Sequence, residues 1–269
     1  MKKPSRLFAS VLILILALSL ITGCGGTPES GDQTAENPPA ENAVDLSGKT
    51  LQIYCGAGMT KPFEEIAQAF KDATGCEMEV TYANAAQIHT QIKTTETGDL
   101  FIAGSAEELA PIQDYVSDQK DLVKHIPVLA VQKGNPLGIA GLSDLAKDGV
   151  EVVLGDADAT PIGKLANKAL SDAGILDKVD VIARTATAPE LTNALSLGEC
   201  DAIIVWKENT GGDKIETVGT TDLDKYIKVI PAASLTFNTD PDTRDAFLKF
   251  LDSDEAKSIW TNYGYEILN

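Results

Sequence analysis

A glycine turn carries the residues of this sequence that are best suited to binding a ligand. It lies in IYCGAGMTKPFEEIAQAF, residues 53–70, between a predicted strand and a predicted helix. Gly56 and Gly58 let the backbone approach a ligand, and the free N–H groups at the helix start attract negative charge. A dinucleotide site would need a third glycine where Lys61 stands, and an acid at the end of the next strand, which reads VTYAN. The turn therefore favours an anion site over a nucleotide site.

Three later segments have the residues of a capped helix start. They are Asn84 with Gln87, Thr160 with Pro161, and Thr187 with Glu190. Ligands of open parallel sheets lie beyond the carboxyl ends of the strands, so all four helix starts would face one cleft. Such a cleft would hold a small anion with neutral donors. Ordinary capped helices without a ligand are the alternative, because any α/β protein contains them.

The remaining reactive side chains are too few for a metal centre or an enzyme site. They are two histidines and the three cysteines that follow Cys24, namely His89, His125, Cys55, Cys76 and Cys200. The sequence has no CxxC pair and no visible set of nucleophile, base and acid, so we predict no metal site, no cofactor and no enzymatic activity. We expect buried free thiols, a structural role for His125, and a packed or exposed His89.

The first residues predict export. Three basic residues precede an apolar run that ends in ITGCGG, which resembles a bacterial lipobox. We predict a signal peptide over residues 1–23, lipid attachment at Cys24, and a disordered tether over residues 24–47. The protein would then be lipid-anchored outside the cytoplasmic membrane, or periplasmic. An ordinary signal peptide or a single-span anchor is the alternative. The formal charge of −18 argues against nucleic acid as a partner.

Strand and helix signals alternate through the rest of the chain. The spacing predicts helices with buried faces at Phe63, Ile66, Ala67 and Phe70 and at Leu165, Ala166, Ala169 and Leu170, and a short helix interrupted by Pro111. Two β-α-β-α-β units are separated and followed by extended segments near residues 126–133 and 227–236. This order predicts an α/β fold of two Rossmann-like lobes joined by a two-strand hinge. We assign residues 48–126 and 232–269 to the first lobe and residues 127–231 to the second.

The order of several segments resembles the molybdate- and tungstate-binding proteins of ABC importers, which have the periplasmic binding protein type II fold. The segments are YCGAGMTKPFEEIAQAF, GDLFIAG, HIPVLAVQKGNPLGIAGLSDLA, VVLGDADATPIGKLANKAL, ELTNALSLGECDAIIVW and FLKFLDSDEAKSIWTNYGY. The resemblance implies a monomeric solute-binding subunit that holds a small oxyanion between its lobes and delivers it to a permease and an ATPase.

The resemblance also implies a set of ligand-binding residues. By position they are Gly58, Ala85, Ile162, Leu191 and Trp206. We add Ala86 and Thr60 as candidates, although Thr60 could instead serve only as a helix cap. Serines are common in the family where Gly58 and Ala85 stand, and a tyrosine where Trp206 stands. Thr60, Asn84 and Gln87 could replace the missing hydroxyl donors. Alternatively, the chain binds another anion or a small polar solute, or acts as a tethered sensor.

Overall fold

The computed structural model describes residues 44–268. The predicted signal peptide, the lipidated Cys24 and most of the predicted tether lie outside these residues. Among the described helices, none is long and apolar enough to cross a membrane.

Two sheets with flanking helices make up the described chain. The strands are β1 Thr50–Gly56, β2 Glu77–Ala83, β3 Leu100–Ile102, β4 Val116–His125, β5 Pro127–Gln132, β6 Glu151–Gly155, β7 Asp180–Thr185, β8 Ala202–Trp206, β9 Ile215–Thr217, β10 Lys228–Leu235 and β11 Glu266–Ile267. The α-helices are α1 Thr60–Thr74, α2 Ala85–Thr95, α3 Pro161–Asp172, α4 Ala188–Leu197, α5 Pro241–Phe250 and α6 Asp254–Asn262. Short 3₁₀ helices cover Ala57–Met59, Ala106–Tyr115, Leu142–Ala146, Leu176–Lys178, Lys207–Asn209 and Asp224–Tyr226.

The first lobe is built on a six-stranded sheet of order β11-β4-β10-β3-β1-β2. Strands β1, β2 and β3 are parallel, and β10 runs antiparallel to β3. Helix α1 buries the predicted apolar face, Phe63, Ile66, Ala67 and Phe70. Phe70 packs edge-on against Phe247 of α5, with ring centroids 5.0 Å apart. The 3.6-residue spacing of these side chains is therefore what fixes α1 on the sheet.

The second lobe is built on a five-stranded sheet of order β7-β6-β8-β5-β9. Strands β6, β7 and β8 are parallel, and β5 runs antiparallel to β8. Helix α3 buries the predicted residues Leu165, Ala166, Ala169 and Leu170. Each lobe thus repeats the pattern of parallel strands with covering helices, and the predicted α/β fold with two lobes is confirmed.

The chain first passes between the sheets at the carboxyl edges of both sets of parallel strands. Pro127, the first residue of β5, lies opposite Trp206, the last residue of β8. In the first sheet Lys228, the first residue of β10, lies opposite His125, the last residue of β4, so the returning chain enters at the same edge. The carboxyl edges of the two lobes are therefore the edges that the first crossing joins.

Strands β4 and β11 were not predicted from the sequence. Strand β4 reads VSDQKDLVKH, and most of its side chains are half-buried or exposed, so it lacks the apolar run of an inner strand. The segment before it was predicted as a short helix interrupted by Pro111, and it forms a 3₁₀ segment with a non-helical Ile112. The predicted lobe boundaries stay a prediction, although β10 pairs with β4 from Lys228 onward.

Replacement of Gly163 by alanine should destabilise the second lobe. A β-carbon at this position would lie 2.2 Å from the Asp156 carbonyl oxygen, because the first turn of α3 packs directly on the end of β6. We expect Gly163→Ala to lower the free energy of unfolding by about 1–3 kcal/mol in urea melts. Gly219→Ala is the matched control, since a β-carbon there meets nothing within 4 Å. Equal stabilities of the two variants would contradict this packing.

Candidate functional site

The start of α1 differs from the other helix starts. The 3₁₀ turn Ala57–Met59 runs directly into α1, and Met59 at the N-cap position makes no side-chain cap bond. The Thr60 hydroxyl, which was predicted either to cap this helix or to bind the ligand, donates instead to the Ala57 carbonyl at 2.8 Å. No side chain caps α1, but the Thr60 N–H also donates to the Ala57 carbonyl and Pro62 has no N–H, so the free N–H groups are those at the start of the 3₁₀ turn.

Gly58 lies at the centre of this turn and faces open space. Its φ is outside the left-handed region, so the backbone does not require glycine there. A β-carbon on Gly58 would meet nothing within 4 Å. The space in front of the turn is thus large enough for a ligand or for an added side chain.

The predicted caps at the other three helix starts are confirmed. Asn84 accepts from the Gln87 N–H at 3.0 Å, and the Gln87 side chain accepts from the Asn84 N–H, which completes a capping box. Thr187 and Glu190 form a second capping box at α4. Thr160 accepts from the Gly163 N–H at the start of α3. The caps use only the amide oxygens of Asn84 and Gln87, so the NH₂ groups of these two side chains take no part in the caps.

The predicted ligand residues at these three starts have different free donors. Ala85 and Ala86 are the first two residues of α2, and Ile162 is the second residue of α3, so their N–H groups have no acceptor within the helix. Leu191 is the fourth residue of α4, and its N–H donates to the Thr187 carbonyl at 3.4 Å. Leu191 is consequently the weakest donor of the predicted set.

Trp206 lies at the end of β8 and stacks on His125 of the first lobe. The ring centroids are 3.7 Å apart and the planes differ by 23°. The His125 Nδ1 atom lies 3.1 Å from the Gly104 carbonyl oxygen, and Nε2 lies 2.9 Å from the Glu208 carboxylate. We call these four residues, Gly104, His125, Trp206 and Glu208, the interlobe junction. Through it the second lobe contacts the first where the chain crosses.

The interlobe junction lies beside the first turn. A β-carbon on Gly56 would lie 3.9 Å from the Gly104 nitrogen, so the two loops are in contact. The Gly104 N–H donates to the Glu108 carboxylate at 2.9 Å. Burial raises the pKa of Glu108, while this N–H and the charges of His125 and His89 oppose the rise. Trp206 is in this way linked to the first turn through the chain of contacts His125, Gly104 and Gly56.

Sequence reasoning missed the junction as a candidate site. His125 was expected to be structural, and Gly104, Glu108 and Glu208 were not singled out. The available signal was the position of His125, one of two histidines, directly before the crossing to β5. Lys207, the neighbour of Trp206, forms an ion pair with Glu266, which is a further contact between the lobes.

The three cysteines after Cys24 are buried and free, as predicted. Cys55 is the residue before the first turn, and burial raises the pKa of its thiol well above the ordinary value. Burial also raises the pKa of Cys200 to about 11. The described residues contain no group of histidine, cysteine and acidic side chains that could hold a metal ion.

A family model described as bacterial extracellular solute-binding protein matches residues 51–266. The chain belongs to this family. The match covers both lobes, and it agrees with the predicted export of the protein.

Individual proteins give a more detailed comparison. A putative binding protein of Haemophilus influenzae is 31% identical over 175 residues, which cover 62% of this chain and 70% of that protein. The molybdate-binding protein ModA of Escherichia coli is 24% identical over 245 residues, which cover 85% of this chain and 93% of ModA. Both relatives are binding proteins by description, which confirms the prediction that the chain is not an enzyme.

The fold also has solved counterparts. The substrate binding domain of a putative molybdenum ABC transporter from Clostridium difficile superposes with a TM-score of 0.71 at 23% identity. The alignment covers 82% of this chain and 99% of that domain. The periplasmic binding protein type II fold that the sequence predicts is thereby confirmed.

The buried thiols should not react in the folded protein. In a Cys24→Ser chain, we expect Cys55, Cys76 and Cys200 to be protected from a thiol reagent such as DTNB, because burial blocks access and disfavours the thiolate. Addition of urea should expose all three, which supplies the control. Rapid modification of any of them without denaturant would contradict their burial.

Proposed function

We propose that this protein is the solute-binding subunit of an ABC importer and that it captures molybdate or tungstate between its lobes. The observation that carries the proposal is the start of α1, which lacks a side-chain cap and opens on free space at the carboxyl edge of the first sheet. Family membership and the molybdate-binding relative from Escherichia coli support the choice of ligand.

Backbone N–H groups are the main donors in this proposal. The turn at Gly58, the start of α2 at Ala85 and Ala86, and the start of α3 at Ile162 would point N–H groups and positive helix ends at the anion. Hydrogen bonds to a charged acceptor are stronger than those between neutral groups. The cleft can therefore bind a dianion although the protein as a whole is acidic.

Side-chain donors would complete the site. Trp206 offers an indole N–H where the family commonly has a tyrosine hydroxyl. Ser105 follows Gly104 at the edge of the first sheet; its hydroxyl makes no cap bond to the 3₁₀ helix that it precedes and interacts with the Glu107 carboxylate. An anion at this edge could compete for that hydroxyl, so Ser105 is a further candidate donor in place of those absent at Gly58 and Ala85.

Transport requires no chemical step by this chain. The anion would contact helix starts of both lobes, so its binding free energy would favour a closed arrangement that a permease can recognise. Lipid on Cys24 would keep the protein at the membrane near that permease. The flexible tether would let the folded lobes move far enough to contact it.

A panel of oxyanions tests the ligand assignment. We expect molybdate and tungstate to raise the melting temperature of the purified protein, with about 2.7 kcal/mol of added stability when the ligand is present at 100 times its Kd. Sulfate and phosphate at equal concentration are the controls and should give smaller shifts. A shift only with sulfate or phosphate would redirect the assignment to that anion, and no shift with any of the four would refute it.

Gly58→Ser should restore a hydroxyl donor at the first turn. The turn has room for the side chain and no need of a positive φ, so the variant should fold as well as the natural protein. A hydroxyl bond to a charged group contributes about 1.5–3 kcal/mol, which corresponds to at least a roughly tenfold lower Kd for molybdate in calorimetric titrations. Gly58→Ala is the matched control. Equal affinities of the serine and alanine variants would place the anion away from this turn.

A further inference from the structure

Both ring nitrogens of His125 face hydrogen-bond acceptors. The Gly104 carbonyl, 3.1 Å from Nδ1, can only accept, so Nδ1 must carry a proton. The Glu208 carboxylate, 2.9 Å from Nε2, also accepts when it is ionised. A neutral imidazole has one donor and one acceptor, so it cannot satisfy both partners at once. The contact with Glu208 therefore requires an additional proton on the ring or on the carboxyl group.

The residues around His125 favour placing the additional proton on its imidazole ring rather than on the Glu208 carboxyl group. The His125 and Glu208 side chains are 13% and 10% exposed, so water does little to replace their mutual contact. The indole of Trp206 covers one face of the imidazole, and an indole is the aromatic surface that attracts a cation most strongly. The Glu208 carboxylate and the Trp206 indole thus both stabilise a positively charged imidazole ring at His125.

The other charged and titratable groups around His125 either favour a positively charged ring or form ion pairs with other residues. The buried Glu108 carboxylate interacts with the His125 charge. The Tyr265 ring lies 6.3 Å away, and burial and then the Glu208 charge raise the pKa of its hydroxyl. Lys228, the cross-strand neighbour of His125, forms an ion pair with Glu107. Lys124, the residue before His125, pairs with Glu266. Two carboxylates therefore face one imidazole.

We propose that His125 is a doubly protonated positioning residue, which holds Trp206 by stacking and joins Gly104 of the first lobe to Glu208 of the second. The ring supplies two N–H donors and a cationic face from one rigid side chain. Trp206 is thereby held where the chain crosses between the lobes, and there it would meet an anion bound between them. This last consequence rests on the proposed oxyanion function, whereas the charge of His125 does not.

His89 provides an internal comparison. Its Nε2 atom lies 2.7 Å from the Glu108 carbonyl oxygen, and its ring packs edge-on against Phe101. One donor satisfies that single acceptor, so a neutral ring is sufficient for His89. Because the chain contains two histidines, a His89→Gln variant assigns every histidine signal in a spectrum.

Nitrogen-15 NMR of the histidine-labelled full chain tests the charge directly, with no ligand present. At neutral pH we expect both ring nitrogens of His125 to show the signals of protonated nitrogen, because each faces an acceptor. In Glu208→Gln one ring nitrogen should be unprotonated under the same conditions, because the anionic acceptor is gone. A His125 ring that is singly protonated at neutral pH in the natural protein would overturn the proposal.

Affinity measurements test the positioning role. We expect Glu208→Gln to raise the Kd for molybdate by roughly tenfold, since the loss of a charge-assisted bond frees the ring below Trp206. His89→Gln is the control and should leave the Kd unchanged. An unaltered Kd in Glu208→Gln would refute the positioning role. Failure of the natural protein to bind any oxyanion would refute the proposed function instead and leave the NMR result standing.

Discussion

The position of the two chain crossings is the constraint on which the rest of this structure depends. The crossing from β4 to β5 lies at the carboxyl edge of the parallel strands of both lobes, and β10 begins at that edge of the first sheet. Parallel strands that lead into helices place the helix starts at this same edge. The starts of α1, α2, α3 and α4 therefore lie at the edges that the first crossing joins. The topology indicates where the proposed ligand site would lie before any side chain is considered.

The caps decide how these helix starts differ. At three of them Asn84, Thr160 and Thr187 accept from the N–H group three residues later, so that N–H group is not available to a ligand, while the N–H groups in between remain free. At α1 the 3₁₀ turn takes the place of a capping residue, and Thr60 bonds back to Ala57. An uncapped helix start in contact with water loses little free energy, but it gains much when an anion arrives. The first turn is therefore the part of the cleft with the most binding free energy to gain.

Local sequence patterns predicted the features that depend on neighbouring residues. The apolar faces of α1 and α3, and the capping boxes at α2 and α4, are set within a few residues and were predicted correctly. Strand β4 was missed because its side chains are mostly polar and its partners, β10 and β11, come much later in the chain. The partners of His125 lie 21 and 83 residues away, at Gly104 and Glu208. No local pattern contains such a contact.

The interlobe junction also explains how an acidic protein can present a cleft to an anion. An imidazolium and the Glu208 carboxylate together carry no net charge. The imidazolium still stacks its positively charged ring on Trp206, and it neutralises a carboxylate beside the cleft. Lys207 and Glu266 form a second neutral pair at the same crossing. Because these carboxylates are paired with positive groups, they repel an incoming anion less. Recognition of the anion then depends on N–H groups whose directions are fixed by the helices. Discrimination among oxyanions would then depend on size and donor geometry rather than on total charge.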